Sequence, residues 1–369
     1  MVFKQSFKPA EYFGKLPDNA VGVGRNLAHN LFANLIKKLA RQASGVSYRQ
    51  AGGQNIYAII SASMANTTEH KPHLRHKRLR RVPKEHLPNI VLQERDERIF
   101  AQLADYGMLD SKQLRLLNPP DNRRGTGDRR FRDRLSLLYH HGYIHRLERQ
   151  YEREKPRRHI IYVAREKDAS VGFPHIRHTM MINDFRIALT LALEQHPEAR
   201  LILWKKDGEI ADRVKVVGER PGGERWLSVK PDAFFIINYR GRDYPFCFEA
   251  DRGTLTQQSR NDWRDVARKI IAYWHWRKQG RHEKYLGFKH FNVITATTSD
   301  ERRENMRHVV RAVANQKNCV GLNLGMYFFC REKDYSLDRP ASILEPLWLS
   351  AKDADERRPH TGRRYTLLE

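Results

Sequence analysis

The chain has 369 residues, and its 68 lysines and arginines outnumber its 43 aspartates and glutamates, for a formal net charge of +25. This excess indicates a polyanionic partner, for which nucleic acid is the usual choice and an anionic membrane surface the alternative. The sequence contains no run of about 18 apolar residues, so no membrane-spanning helix is predicted. It also contains no signal-peptide pattern, and we expect a cytoplasmic protein. The cysteines form no C-x-x-C pair, so neither a zinc site nor a disulfide framework is expected.

Residues 1–88 are predicted to contain an amphipathic helix followed by a basic arm or linker. From Asn26 to Ala43, leucine and isoleucine recur at helical spacing, and basic residues occupy the opposite face. This helix docks either on the protein's own core or a partner, or on a membrane surface. The basic run from Glu69 to His86 is interpreted as an arm that contacts phosphates, with a charged linker as the alternative. The candidate contacts of this arm are Lys77, Arg78, Arg80 and Arg81.

Residues 89–167 carry a pattern of three helices followed by a hairpin, which predicts a winged helix-turn-helix. The predicted helices run from Glu94 to Tyr106, from about Ser111 to Leu117, and from Arg129 to His141. Two strands follow, at 143–147 and 159–163, and a charged loop lies between them. A winged helix that binds another protein is the alternative to one that binds DNA.

Arginines favour the DNA-binding alternative. The third helix is expected to enter the major groove, where arginines on the face opposite its apolar residues contact phosphates or guanines. The loop of the hairpin is expected to lie over the adjacent DNA backbone. The candidate DNA contacts are Arg129, Arg130, Arg132 and Arg134 on the helix, and Arg153, Arg157 and Arg158 in the loop.

Residues 174–351 alternate between helical and strand patterns, which predicts an α/β domain with a central mixed sheet. Residues 352–369 are interpreted as a basic tail. No glycine-rich phosphate loop is present, so the sequence contains no motif for nucleotide binding.

Three acidic residues of this domain are predicted to meet at one edge of the sheet. Asp232 precedes one strand, while Glu249 and Asp251 are two residues apart on the next strand and therefore face the same side. A hairpin brings Asp232 beside the other two. Neighbouring carboxylates raise one another's pKa values unless a cation lies between them, and Mg²⁺ or Mn²⁺ prefers such oxygen ligands. A bound ion of this kind can activate water for phosphodiester cleavage.

The spacing of these residues, with a helix following them, resembles the PD-(D/E)xK nuclease superfamily, the restriction-endonuclease-like fold. The wider layout resembles the replication-relaxation proteins of plasmids and integrative elements. The motifs that carry this second resemblance, over roughly residues 89–348, are H-x₄-N-D-x-R-x-A-L from His178, K-P-D-A-F-F from Lys230, F-E-A-D-R-G-T from Phe248, K-x₃-Y from Lys269 and S-I-L-E-P-L-W from Ser342.

The resemblance implies a set of site residues. Asp232, Glu249 and Asp251 are the implied metal ligands, and Asp184, on the first helix of the domain, is a further candidate. In the PD-(D/E)xK motif a lysine occupies the position at which this chain has Asp251, and an aspartate cannot perform the role of that lysine. Either Lys269, one helix later, or Arg252 replaces it, or the site does not cut. The candidate catalytic set is Asp232, Glu249, Asp251 and Lys269.

These observations lead to one functional expectation with two alternatives. We expect a DNA-binding protein of a mobile element that acts at an origin, in mobilisation or replication, as a Mg²⁺-dependent nickase or endonuclease. The alternatives are a non-catalytic origin-binding factor and a transposase-like nuclease subunit. The expected partner is double-stranded DNA of the plasmid or nucleoid, with relaxase, replication or transposition proteins and a second copy of the chain as further candidates.

Overall fold

The computed structural model describes residues 81–119, 127–147, 160–165, 173–217, 223–253, 262–355, 358 and 360–368. The chain divides into two units, Met1–His76 and Lys77–Glu369, and every described residue belongs to the second. The predicted N-terminal helix, most of the basic arm and the loop of the hairpin lie outside the described residues. Among the candidate DNA contacts this applies to Lys77, Arg78, Arg80, Arg153, Arg157 and Arg158.

The first described segment consists of three helices and a small antiparallel sheet. In chain order its elements are α1 (Glu94–Tyr106), β1 (Met108–Asp110), α2 (Ser111–Leu117), α3 (Gly127–His141), β2 (His145–Arg146) and β3 (Ile161–Val163). Strand β3 lies between β1 and β2 and is antiparallel to both. The helices lie where the hydrophobic periodicity predicts them, whereas β1 was not predicted because it is only three residues long.

Local sequence explains where these helices begin and end. Gly107 follows α1 with a φ of +74°, a left-handed conformation that glycine adopts without steric cost. Asp110 then caps α2, because its side chain accepts hydrogen bonds from the backbone N–H groups of Lys112 and Gln113. The apolar face of α3 packs into the core of this segment through Phe131, Leu135, Leu138 and Tyr139.

The second segment is a larger mixed α/β arrangement. Its helices are α4 (Phe173–Glu194), α5 (Asp262–Lys278), α6 (Arg281–Leu286) and α7 (Asp300–Ala314). Its strands are β4 (Ala199–Lys206), β5 (Asp212–Val217), β6 (Glu224–Val229), β7 (Ala233–Tyr239), β8 (Arg242–Asp251), β9 (Asn292–Thr297), β10 (Tyr327–Arg331), β11 (Trp348–Ser350) and β12 (Arg364–Tyr365).

Seven of these strands form one sheet in the order β12-β11-β10-β9-β8-β7-β4, and β5 and β6 pair separately. Strands β8, β9 and β10 are parallel, while β4, β7 and β8 are antiparallel. The prediction of an α/β protein with a central mixed sheet is therefore confirmed. The predicted basic tail contains β12, which pairs with β11, and Leu367 beside β12 is buried in the core.

Each face of the sheet is covered by its own apolar layer. On one face α4 contributes Phe185, which stacks on Phe248 of β8 with ring centroids 4.1 Å apart. On the other face, α5 and α7 pack against residues that include Phe234 and Cys247. Phe248 and Cys247 belong to different layers, so β8 alternates between the two faces as its sequence predicts. Among the described residues, none of the helices combines the length with the apolar composition that a membrane span requires.

Candidate active site

The candidate site forms where β7 begins and β8 ends. These strands pair with Ala233 opposite Phe248, so continuing the register places Asp232 beside Glu249. The Asp232 carboxylate accepts a hydrogen bond from the backbone N–H of Ala250 at 2.8 Å. Asp232 is thus held directly against β8 by a backbone contact.

Glu249 is buried, with only 6% of its surface exposed, and both of its oxygens accept hydrogen bonds from α5. Lys269 Nζ donates to Oε2 at 2.5 Å, and the Tyr273 hydroxyl donates to Oε1 at 2.5 Å. The two donors are four residues apart and therefore lie on the same side of the helix. The side chain of Lys269 is 59% exposed, so this ion pair lies at the boundary between core and solvent.

The two carboxylates are shifted in opposite directions. Burial and the charge of Asp232 raise the pKa of Glu249, although Lys269 and Tyr273 act against this. Burial also acts to raise the pKa of Asp232, but the hydrogen bond with His178 and the charge of Lys269 prevail and lower it. The ionised form of Glu249 is therefore the costly one, and additional positive charge near it would be stabilising.

The basic and phenolic groups of the site keep their protons. The charge of Glu249 raises the pKa of Lys269, so the lysine remains an ammonium group throughout the physiological range. Burial raises the pKa of Tyr273 well above its usual value of 10.0. Tyr273 therefore acts as a hydrogen-bond donor to Glu249 and is poorly suited to be a phenolate nucleophile.

His178 joins the site from α4. Its Nε2 atom lies 3.1 Å from Asp232 Oδ2, and this hydrogen bond raises the pKa of the histidine. Sequence reasoning did not place His178 or Tyr273 among the site residues. The available signal was their position in the H-x₄-N-D and K-x₃-Y motifs.

Asp232, Glu249 and Lys269 line a common cavity of about 310 Å³. A second ammonium group, that of Lys230, also lies at this cavity and pairs with Asp207 at 3.0 Å. The cavity therefore combines acidic groups with lysines, which suits a ligand that carries both a cation and an anion. The remaining lining residues are Asp207, Ser228, Val229, Ala272 and Tyr273.

Asp251 and Asp184, the other two predicted metal ligands, each contact a partner outside the cavity. Asp251 forms a two-point ion pair with Arg302 of α7, with Nη2 at 2.8 Å from Oδ1, and accepts a hydrogen bond from Thr297. Asp184 accepts a hydrogen bond from Gln113 Nε2 at 2.6 Å. Neither aspartate lines the cavity. Asp251, the last residue of β8, is held by Arg302 of α7, and Asp184 of α4 is held by Gln113.

The donors present fit a divalent ion of a particular kind. Within the described ranges no three His, Cys, Asp or Glu side chains are arranged to hold a metal ion. Mg²⁺, however, is commonly held by one or two carboxylates and completed by water and substrate phosphate oxygens. Asp232 and Glu249 supply such a pair of carboxylates, and burial, with the charge of Asp232, raises the pKa of Glu249, so a bound cation would stabilise its ionised form.

The alternative replacement for the superfamily's lysine, Arg252, is directed elsewhere. Its guanidinium donates to the backbone carbonyl of Arg177 in α4 at 3.4 Å. Arg252 is not among the residues that line the cavity. Of the two replacements suggested by the sequence, Lys269 is the one that contacts Glu249.

The candidate DNA contacts on α3 fall into two groups. Arg129, Arg130 and Arg132 are exposed. Arg134 instead forms a two-point ion pair with the buried Asp96 of α1. Arg81 lies over the ring of Tyr139, with its guanidinium carbon 5.2 Å from the ring centroid.

The segment that contains this site matches a known protein family. A family model described as replication-relaxation matches residues 164–290, which include Asp232, Glu249 and Lys269. No curated protein and no solved structure matches the chain. The resemblance predicted from the sequence is thereby confirmed: over residues 164–290 this chain is similar to the replication-relaxation family.

Proposed function

We propose that the protein binds DNA during plasmid or mobile-element replication or mobilisation and cleaves phosphodiester bonds with Mg²⁺ or Mn²⁺. The family match supports the biological setting. The observation that carries the cleavage proposal is the contact between Lys269 and Glu249, at 2.5 Å, in the cavity that Asp232 also lines. An acidic pair with an adjacent lysine is the combination that the PD-(D/E)xK resemblance requires.

Each residue has a specific role in this proposal. Asp232 and Glu249 would hold the ion, which supplies activation of water and neutralisation of phosphate charge. The Lys269 ammonium would lie beside the scissile phosphate and stabilise the negative charge that grows during the reaction. Tyr273 keeps Glu249 in place by donating to Oε1, and His178 does the same for Asp232.

The first described segment supports the DNA-binding half of the proposal. Three helices followed by strands β2 and β3, with β1 completing the sheet, match the element order of a winged helix. We propose that the exposed arginines Arg129, Arg130 and Arg132 of α3 contact DNA. Arg134 serves another purpose here, because its charge is already matched by Asp96.

A plasmid-nicking assay tests the cleavage proposal. Supercoiled plasmid is incubated with the full chain in Mg²⁺, in Mn²⁺ or in EDTA, and relaxed and linear products are measured. We expect metal-dependent nicking that is lost in Asp232→Asn and Lys269→Met. Asp251→Asn is the matched control, since this aspartate lies outside the cavity, and it should retain activity. Nicking that survives Asp232→Asn would contradict the assignment.

One observation favours a second candidate, a non-catalytic origin-binding factor. Both oxygens of Glu249 are already occupied by Lys269 and Tyr273, so the site is hydrogen-bonded without a metal ion. This candidate predicts DNA binding without cleavage, and no change in the melting temperature when Mg²⁺ is added.

A further inference from the structure

The two-stranded hairpin of β5 and β6 is firmly attached beside the cavity. Its inner face packs against α5 through the buried residues Val214, Val216 and Val229. At the base of the hairpin, Asp212 accepts a hydrogen bond from the indole N–H of Trp276 at 3.0 Å and pairs with Arg281. The two strands are therefore fixed to α5 and α6 by packing, hydrogen bonds and an ion pair.

The outer face of the hairpin presents an exposed tryptophan among basic groups. Trp226 is 60% exposed, although burial of an indole is strongly favourable. Its cross-strand partner is Lys215, and Arg213 lies opposite Ser228 two pairs further along, on the same face. We call these four outward-facing residues the hairpin ledge.

Positive charge predominates on and beside the ledge. Lys215 pairs with Glu224 at 2.7 Å, which matches one of the charges. Arg213 is exposed and forms no ion pair with any residue that the structure describes, and Arg225 is exposed on the opposite face of the strand pair, beside Val216. The ledge therefore complements a polyanion, while its tryptophan offers a flat apolar surface.

The hairpin ledge is adjacent to the candidate active site. Ser228 belongs to the ledge and also lines the cavity, together with Val229 and Lys230. Because successive strand residues advance by about 3.3 Å, the Cα atoms of Trp226 and Ser228 are separated by roughly 7 Å on one face. A chain lying along β6 would pass from the indole to the cavity within a short distance.

We propose that the hairpin ledge binds an unpaired DNA strand, with Trp226 stacked on a base and the backbone directed toward Asp232 and Glu249. This inference rests on the proposed function, because it names the form of DNA that the same site receives. Basic grooves with aromatic side chains are how proteins bind single strands, since every unpaired base exposes a flat face. In a duplex those faces are covered by neighbouring base pairs.

Binding measurements in EDTA test the ledge without cleavage. The full chain is titrated into a labelled single-stranded oligonucleotide and into a blunt duplex of the same sequence. We expect Trp226→Ala to weaken single-strand binding by about tenfold, since loss of one stacked base has effects of this order. Trp226→Phe should retain most of the affinity, and duplex binding should change little. Ile202→Ala is the matched control, because Ile202 is also a strand residue and is 49% exposed.

Several outcomes would overturn the inference. These are a wild-type chain that does not bind the single strand, a Trp226→Ala variant that binds it normally, and equal weakening of single-strand and duplex binding. Preferential binding of anionic phospholipid vesicles through Trp226 would also overturn it. Thermal melting of each variant confirms that it is folded, and Trp226→Phe provides a conservative second variant.

The nuclease proposal can fail separately. If no metal-dependent cleavage occurs but Trp226→Ala still selectively weakens single-strand binding, the nuclease proposal is wrong and the inference about the hairpin ledge is supported. If cleavage depends on Asp232 while Trp226→Ala binds normally, the ledge inference fails and the nuclease proposal stands.

Discussion

Two buried carboxylates, Asp96 in the first segment and Glu249 in the second, each pair with one basic side chain, but their surroundings differ. Asp96 receives two contacts from Arg134 and a third hydrogen bond from the backbone N–H of Gln93 at 2.8 Å. Glu249 receives one contact from the exposed Lys269 and one from the neutral Tyr273. The negative charge of Asp96 is therefore balanced by partners that are fixed in place, whereas the charge of Glu249 is balanced only in part.

The directions of the pKa shifts express this difference. Burial acts to raise the pKa of Asp96, but Arg134 and the Gln93 N–H outweigh it, and the pKa is lowered. At Glu249 burial, with the charge of Asp232, outweighs Lys269, and the pKa is raised. One ion pair therefore stabilises the fold, whereas the other leaves a carboxylate that a bound cation would stabilise further.

The largest expected effect follows from removing the charge of Glu249. Glu249→Gln should lower the rate of metal-dependent cleavage at least about a hundredfold, because an ion ligand worth several kcal/mol in the transition state is lost. The folded protein should be no less stable at neutral pH, since a buried charge is removed. Initial nicking rates and urea unfolding measure the two effects. Full activity in Glu249→Gln would end the proposed distinction between the two pairs.

Breaking the matched pair should affect stability instead. Arg134→Met leaves the Asp96 charge buried and without its guanidinium, which should lower the free energy of unfolding by about 3 kcal/mol. Urea denaturation measures this loss, and cleavage per folded molecule should be unchanged. Arg129→Met, an exposed arginine on the same helix, is the control and should change stability by less than about 0.5 kcal/mol. Equal effects of the two substitutions would show that the Asp96 pair is not structural.

A metal titration tests whether Glu249 and Asp232 bind the ion. Mg²⁺ at about a hundred times its dissociation constant should stabilise the wild-type chain by about 2.7 kcal/mol. Glu249→Gln and Asp232→Asn should abolish this increase in thermal stability, and Asp251→Asn should keep it. Stabilisation that persists in Glu249→Gln would place the ion elsewhere.

The pH dependence of the matched pair has a definite sign. Because the pKa of Asp96 is lowered in the folded state, its contribution is complete above the unfolded value of about 3.9. It is lost as the pH falls through the folded pKa. The stability gap between wild type and Arg134→Met should therefore be constant near neutrality and shrink in acid. Urea unfolding at a series of pH values measures the gap, and a gap that widens in acid would be the opposite of this expectation.

The smallest effect on stability is expected for the exposed arginines of α3. Replacing Arg129, Arg130 and Arg132 together by Ala should leave unfolding nearly unchanged. The slope of log affinity for duplex DNA against log salt should fall by about one for each phosphate contact removed. Fluorescence anisotropy at several salt concentrations measures the slope. A triple variant with the wild-type slope would exclude α3 as a source of phosphate contacts.

Much of the site was accessible from sequence because strand alternation is a local property. The two-residue spacing of Glu249 and Asp251 placed both on the same side of β8, and the basic helix that follows supplied Lys269. Alternation did not reveal that Arg302, from a helix far along the chain, would pair with Asp251. It also did not reveal that His178, from the helix on the other face of the sheet, would contact Asp232.

The same division holds for α3. Periodicity identified its buried face correctly, since Phe131 and Leu135 are in the core. It also assigned Arg134 to the polar face with Arg129. Only the packing of α3 against α1 brings Asp96 to Arg134, because that contact depends on the position of two helices relative to each other.

By itself the sequence determined the charge, the order of helices and strands, the facing of residues along each strand and the family resemblance, because these depend on composition or on near neighbours. Tertiary structure decided which charged groups neutralise one another and which remain available to a ligand. The physical reason is that a charge is strongly stabilised only by partners within a few ångströms in a partly dry environment. Such partners come from elements that are distant in the chain.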